Sequence, residues 1–193
     1  PSHAPKEDPT AAWKELFEAA VGPEGVDYDL IQDDHEPLWD YVAWVGEHGP
    51  ISDQMRESKE DSRLVFLLNA YNALVIEAVL QNRPISGVRD VQFPPWSVVD
   101  GASFFVGQRF DLDGESISLY NLEHQRILDR YQEPLLHVGM NCASVGCPPL
   151  RFWEERGKGR RLQPQLDRAM REWLVGPGLR ETPRGYAVSE LFF

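Results

Sequence analysis

The sequence predicts an α+β domain in which a buried central helix packs with further helices against a small, mainly antiparallel sheet. Three patterns predict it. Residues 63–80 are apolar nearly all round, as a helix enclosed by a core must be. Stretches with apolar residues at helical spacing lie on both sides of that segment. Between them, residues 84–118 are broken by Pro84, Gly87, Pro94, Pro95, Gly101, Gly107 and Gly114, and their Val and Phe content suits short strands joined by turns. At 193 residues the chain has room for one core, so residues 1–10 are read as a flexible N-terminal tail and residues 11–193 as a single domain.

Each element has a local reason. Residues 11–20 carry Trp13, Leu16, Phe17 and Ala20 on one helical face, and Gly22, Pro23 and Gly25 end the helix. Leu38, Tyr41, Val42 and Val45 mark a second helix after Val26-Asp27-Tyr28. The central helix runs from Arg63 to Leu80, and Asn82, Arg83 and Pro84 terminate it. Ser103–Val106 and Gln108–Leu112 read as strands, with Asp113-Gly114 as a hairpin turn. Ser118 can cap a helix to about Tyr131. Leu135–Met140 reads as a strand, Ala143–Leu150 as a loop, Pro164–Val175 as a last helix and Tyr186–Phe193 as an apolar C-terminal segment.

Charge excludes one class of function. Residues 1–62 hold 16 acidic and 4 basic residues and the remainder 15 of each, so the net charge of −12 is wholly N-terminal. A chain without a basic stripe lacks the surface that binds nucleic acid, and Arg151, Arg156, Lys158, Arg160 and Arg161 read as a solvated loop cluster. Leu64–Leu68 and Ala73–Leu80 are separated by Asn69, Tyr71 and Asn72, so no unbroken apolar run reaches the roughly 20 residues of a membrane span. The chain starts at Pro1 with neither a methionine nor a signal-like segment, which reads as a trimmed product.

Groups able to do chemistry concentrate between Glu123 and Cys147. Steps of about 100° per residue from Leu119 place Tyr120, Ile127, Leu128 and Tyr131 in one half-turn, with Glu123 and His124 inside that arc. An inward-facing ionisable pair needs partners, either as chemistry or as caps on buried backbone. If Leu135–Met140 is a strand, His137, Gly139 and Asn141 share one side, and Cys142 joins them only if the chain bends after Met140. A thiolate attacks an acyl group when a nearby base or cation lowers its pKa. Cys142, with His137 or His124 as base and Glu123 as orienter, supplies those parts.

The Cys142-x-x-x-x-Cys147 spacing admits a disulfide, a reactive thiol with a resolving partner, or a metal site, the last lacking the paired spacing of structural zinc. The set of site residues is therefore taken to hold no metal, and no cofactor is called for. Asn69 and Asn72, at i and i+3 on the apolar helix, must find hydrogen-bond partners; they are read first as pins for loops and second as ligand contacts, together with Asn141 and Cys147.

Asn69-Ala70-Tyr71-Asn72-Ala73, Leu122-Glu123-His124, His137, Asn141-Cys142-Ala143-Ser144 and Gly146-Cys147-Pro148-Pro149-Leu150 together resemble the ordered signature blocks of DUF547 proteins, from about Val26 to the C terminus. Val188-Ser189-Glu190-Leu191-Phe192-Phe193 is similar to the start of that family's closing aromatic segment, as if a short tail followed. The resemblance implies a fold but no substrate. Bacterial members are often exported, which implies a periplasmic or secreted location. A buried helix followed by strands is also similar to papain-like or transglutaminase-like cores, whose nucleophilic cysteine starts the helix. Here that helix carries Asn69 and Asn72 and no cysteine, so a triad would be built around Cys142.

Three functions remain open on the sequence. The leading one is a thiol-dependent hydrolase or acyl-transferase acting on a peptide or amide. A non-catalytic module binding a peptide or small molecule is the second, and a redox-responsive domain forming mixed disulfides with small thiols such as glutathione is the third. None calls for nucleic acid or a membrane span. The oligomeric state is not legible.

Overall fold

The structure, a computed structural model, describes residues 7–51, 60–91, 103–144, 146–154, 162–176 and 178–188. Most of the N-terminal tail, Pro94, Pro95, Gly101, the basic residues 156–161 and the end of the C-terminal apolar segment lie outside the described residues. The chain is α+β. Helices α1 (Thr10–Ala20), α2 (Tyr28–Asp33), α3 (Glu36–Glu47) and α4 (Glu60–Asn82) come first, with a two-residue ribbon, β1 (Val21–Gly22) and β2 (Gly25–Val26), between α1 and α2.

Helix α4 is the axis of the fold. Sixteen successive positions are nearly all enclosed: from Leu64 to Val79 only Val65 is not buried. By length and mean hydropathy, 1.6, α4 could cross a bilayer, but 83% of that window is buried against the rest of the protein. Unbroken-run counting overlooked this, because the asparagines interrupt the run without lowering its average much. Helix α1 buries Trp13, Leu16, Phe17 and Ala20 as its spacing requires, and Trp13 stacks on Tyr41 of α3. Helix α2, which the sequence reading passed over, is one short segment opened by Asp27, whose carboxylate accepts from the Leu30 N–H.

The hairpin of β3 (Phe110–Leu112) and β4 (Glu115–Ile117) turns at Asp113-Gly114, both with positive φ (53° and 79°), the backbone a two-residue turn of this twist demands. Its tip closes the end of α3: the Asp113 and Gly114 N–H groups donate to the Val45 and Gly46 carbonyls, which a helix end leaves without internal partners. Ser103–Val106, expected as a strand, instead lies in a wide helical turn, Ser103–Gly107, that buries Ser103 and Phe104. Its Val and Phe content reflects burial rather than pairing.

Ser118 caps the next helix by accepting from the Asn121 N–H. Helix α5 (Leu119–Asn121), a π-helical stretch (Leu122–Leu128) and α6 (Asp129–Tyr131) follow without a break. A short 3₁₀ helix, Pro134–Gly139, then replaces the strand expected at 135–140. Pro134 fixes a helical φ at the start and Glu133 caps it by accepting from the Leu135 N–H, a local preference that outweighs the β-branched and aliphatic composition. Helix α7 (Gln163–Leu174) packs against this 3₁₀ segment, and a last hairpin pairs β5 (Leu179–Thr182) with β6 (Gly185–Val188).

Candidate functional site: the asparagine-clamped cysteine loop

The chain from Gly139 to Trp153 is fastened to α4 at both ends. Asn72 donates from Nδ2 to the Gly139 carbonyl (3.0 Å) and accepts at Oδ1 from the Asn141 N–H (3.0 Å). One turn earlier, Asn69 donates to the Trp153 carbonyl (2.8 Å) and accepts from the Trp153 N–H (2.9 Å). Each amide therefore meets backbone through both its donor and its acceptor, as buried polar groups require. The Trp153 indole N–H donates to the same Gly139 carbonyl (3.0 Å) and ties the two ends together. Gly139 permits this approach, because a Cβ there would lie 3.0 Å from a Leu68 methyl group.

Inside the loop, Asn141 donates to the Pro148 carbonyl and accepts from the Ala143 N–H, while the Cys147 N–H donates to the Ser144 carbonyl. Ala143 turns the chain with a left-handed φ of 53°. Cys142 and Cys147 are joined by a disulfide across this turn. Cys142 is half-buried and Cys147 is buried. With both sulfurs bonded, neither cysteine holds a thiolate, so a nucleophilic role for Cys142 belongs to the reduced chain alone.

Glu123 meets α4 one residue before Asn72. The Tyr71 hydroxyl donates to its carboxylate at 2.9 Å. Burial, and secondarily the Glu123 charge, raise the Tyr71 phenol well above its ordinary pKa of 10.0, so the hydroxyl keeps its proton and its donor role. Glu123 and Asn141 are thus held by adjacent residues of one helix, and the stretch containing Glu123 also packs on the 3₁₀ segment containing His137.

The histidines differ from expectation. His124 is half-buried and turns along the helix surface, its ring stacked on Tyr120 at 4.0 Å and its Nδ1 3.1 Å from the Tyr120 carbonyl. That carbonyl can only accept, so Nδ1 is the donor of this contact. Tyr120, placed inward by the regular wheel, is 45% exposed, whereas Leu122 is fully buried. The cause is the π-helical stretch, where each turn takes one extra residue and the faces advance out of step with a 100° wheel. His137 is half-buried on the 3₁₀ helix and makes no side-chain hydrogen bond among the described residues. The alternation that put it beside Gly139 and Asn141 does not apply there, since Leu136, Val138 and Gly139 are the buried positions.

The structure therefore gathers Asn69, Asn72, Asn141, Cys142 and Cys147 in one loop assembly and ties Glu123 to the same helix through Tyr71. Sequence reading missed Tyr71 as the partner of Glu123 and Trp153 as the anchor of the far end. A signal for Trp153 existed: an indole N–H in an apolar setting needs an acceptor, and Asn69 needed backbone partners. Among the described residues no group of three or more His, Cys, Asp and Glu side chains converges as a metal site. An open cleft of about 310 Å³ borders the loop's C-terminal arm, lined by Phe17, Leu150, Phe152, Trp153, Gln165 and Arg168 among others.

Residues 55–174, which span this whole assembly, match the model of a family described as a protein of unknown function, DUF547. Neither the curated proteins nor the solved structures hold a match to the chain.

Proposed function

Since the chain belongs to the DUF547 family, whose description assigns no activity, we propose a function from the cysteine loop itself: Cys142 and Cys147 form a reversible redox centre that exchanges with small thiols. One observation carries this reading. The loop is held by Asn69, Asn72 and Asn141 independently of the bridge, so the disulfide can open without releasing the fold. A disulfide closing so short a loop, with a sequence separation of 5, removes little unfolded-state entropy. Its contribution is about 2 kcal/mol on the chain-entropy account. A bridge that adds so little to a loop already clamped is better suited to exchange than to stapling.

The half-buried sulfur of Cys142 is the one open to attack. A thiolate of a small thiol attacks Cys142 Sγ, a new sulfur–sulfur bond forms, and the Cys142–Cys147 bond breaks with its electron pair going to Cys147, which takes up a proton. A second thiolate then attacks the small thiol's sulfur in the mixed disulfide and releases Cys142. The domain has been reduced and two thiols oxidised to one disulfide. A bridged pair fits an oxidising location, so we place the domain in the periplasm or among secreted proteins, with a small thiol or thiol-bearing peptide as its partner.

A second reading, a thiol-dependent hydrolase of a peptide or amide, is favoured by the convergence of Glu123 and the Cys142 segment on neighbouring residues of α4. In the reduced chain Cys142 would attack the carbonyl, with His124 Nε2 or His137 taking the proton and Glu123 orienting the base. Trapping separates the two. Cys147→Ser incubated with oxidised glutathione should gain one glutathione on Cys142 by intact mass, and Cys142→Ser should label far more slowly. Equal labelling of the two variants defeats the exchange reading. Turnover of a peptide amide by reduced protein, lost in Cys142→Ser, would put the hydrolase first.

A further inference from the structure

One turn along α4 from Tyr71, Leu67 forms the floor of a separate cavity of about 210 Å³. Leu112 and Ile117 of the β3–β4 hairpin complete its apolar wall, and all three of these residues are buried. Gln125, Arg126 and Arg130, from the helix that bears Glu123, line its mouth. None of the cysteine-loop residues lines it. We propose that this cavity binds a small monocarboxylate with a short apolar tail.

The mouth carries two carboxylates, Asp113 and Glu115, and two guanidinium groups, Arg126 and Arg130, so the sign of the ligand is decided by which of them is engaged. The two carboxylates among the lining residues are committed: Glu115 pairs with Arg126, and Asp113 accepts from the Ile51 N–H. Arg130 is differently placed. Its guanidinium stands 3.6 Å from Glu60 Oε1, and the same oxygen stands 3.6 Å from Arg63. One carboxylate oxygen thus faces two guanidinium groups, both beyond hydrogen-bonding distance. Arg130 makes no hydrogen bond among the described residues and is half exposed, with a planar fork that matches a carboxylate through two parallel N–H donors. Gln125 adds an amide that is also without a hydrogen-bond partner among the described residues.

Size and lining decide the rest. Drug-sized ligands occupy about 300–1,000 Å³, so this cavity takes a smaller molecule. An apolar floor under a mouth that offers the Arg130 fork selects a chain or ring several carbons long that ends in one carboxylate. A dicarboxylate would place its second charge against Leu67, Leu112 and Ile117, where burying it unpaired is costly.

Hexanoate is the probe, with hexanol and hexylamine as its uncharged and cationic counterparts, and methyl-labelled protein is titrated by NMR. Hexanoate should shift the Leu67, Leu112 and Ile117 methyl resonances in a saturable way, and hexylamine should not. Arg130→Gln should weaken hexanoate about tenfold, the loss of a charge-assisted hydrogen-bond pair, while leaving hexanol unchanged. Reducing the disulfide should leave the affinity unchanged, so the result stands apart from the redox proposal. No saturable shift with hexanoate, equal binding of hexylamine, or an Arg130→Gln variant that binds hexanoate like the parent would each overturn the proposal.

Discussion

Replacing Asn72 by Ala removes two hydrogen bonds at once, and the structure says what each loss leaves behind. The Gly139 carbonyl keeps the Trp153 indole as a donor, so it is under-satisfied without being orphaned. The Asn141 N–H loses its partner, but Asn141 is half-buried and water can reach part of it. Leaving a buried group unsatisfied costs about 1–3 kcal/mol, and one full and one partial loss place Asn72→Ala at about 2 kcal/mol. Asn69→Ala should cost more, because both the N–H and the carbonyl of Trp153, 2% exposed, would be stranded. Asn72→Asp tests orientation: it keeps the acceptor facing Asn141 but sets a carboxylate oxygen against the Gly139 carbonyl. It should be less stable than Asn72→Ala at neutral pH and recover in acid, as the protonated carboxyl becomes a donor. Urea unfolding followed by tryptophan fluorescence reads all three. Parent-like stability of both Ala variants, within about 0.5 kcal/mol, would refute the clamp.

Leu68→Ala, at a fully buried position on α4, should cost about 2–5 kcal/mol in the same assay. Gly139→Ala should be destabilised by about 1–3 kcal/mol through crowding against Leu68, and the double variant with Leu68→Ala should recover part of that loss. Burial raises the pKa of Tyr28, Tyr41, Tyr71 and Tyr131, with neighbouring acidic charge reinforcing it at the last three. A raised folded-state pKa gives stability that is fully present below the unfolded value near 10 and is lost as pH climbs through the folded value. Unfolding free energy should therefore fall above about pH 10, with the enclosed Tyr41 and Tyr71 phenols ionising at 295 nm only as the chain unfolds; free titration of both in the folded chain would contradict it.

Much of this was legible in the sequence where one local signal dominated. The all-round apolarity of residues 63–80 marked the central helix, Ser118 marked a cap, and Asp113-Gly114 marked a turn whose positive φ values only such residues accept readily. Asn69 and Asn72 could be read as pins because an amide in an apolar helix has no other way to be satisfied. The rest failed for a common reason: periodicity assumes a known number of residues per turn. The π-helical stretch at 122–128 and the 3₁₀ helix at 134–139 depart from that number in opposite senses, and they carry Glu123, His124 and His137. Orientation was thus misjudged at His124 and His137, on which the catalytic reading depended, while Glu123 faces α4 as the wheel placed it. Partners distant in sequence, such as Trp153 for Asn69, emerge only once α4 brings the two ends of the loop together.

Reversible reduction with retention of the fold tests the central proposal most directly. The chain is equilibrated across a series of reduced-to-oxidised glutathione ratios without denaturant, quenched by alkylation and weighed intact, while circular dichroism and the urea midpoint are recorded on each sample. A reversible two-electron transition at Cys142 and Cys147, with unchanged secondary structure and a stability loss near 2 kcal/mol, is the predicted result. A bridge that resists reduction until denaturant is added, or whose reduction unfolds the chain, would show the disulfide to be a staple and contradict the account.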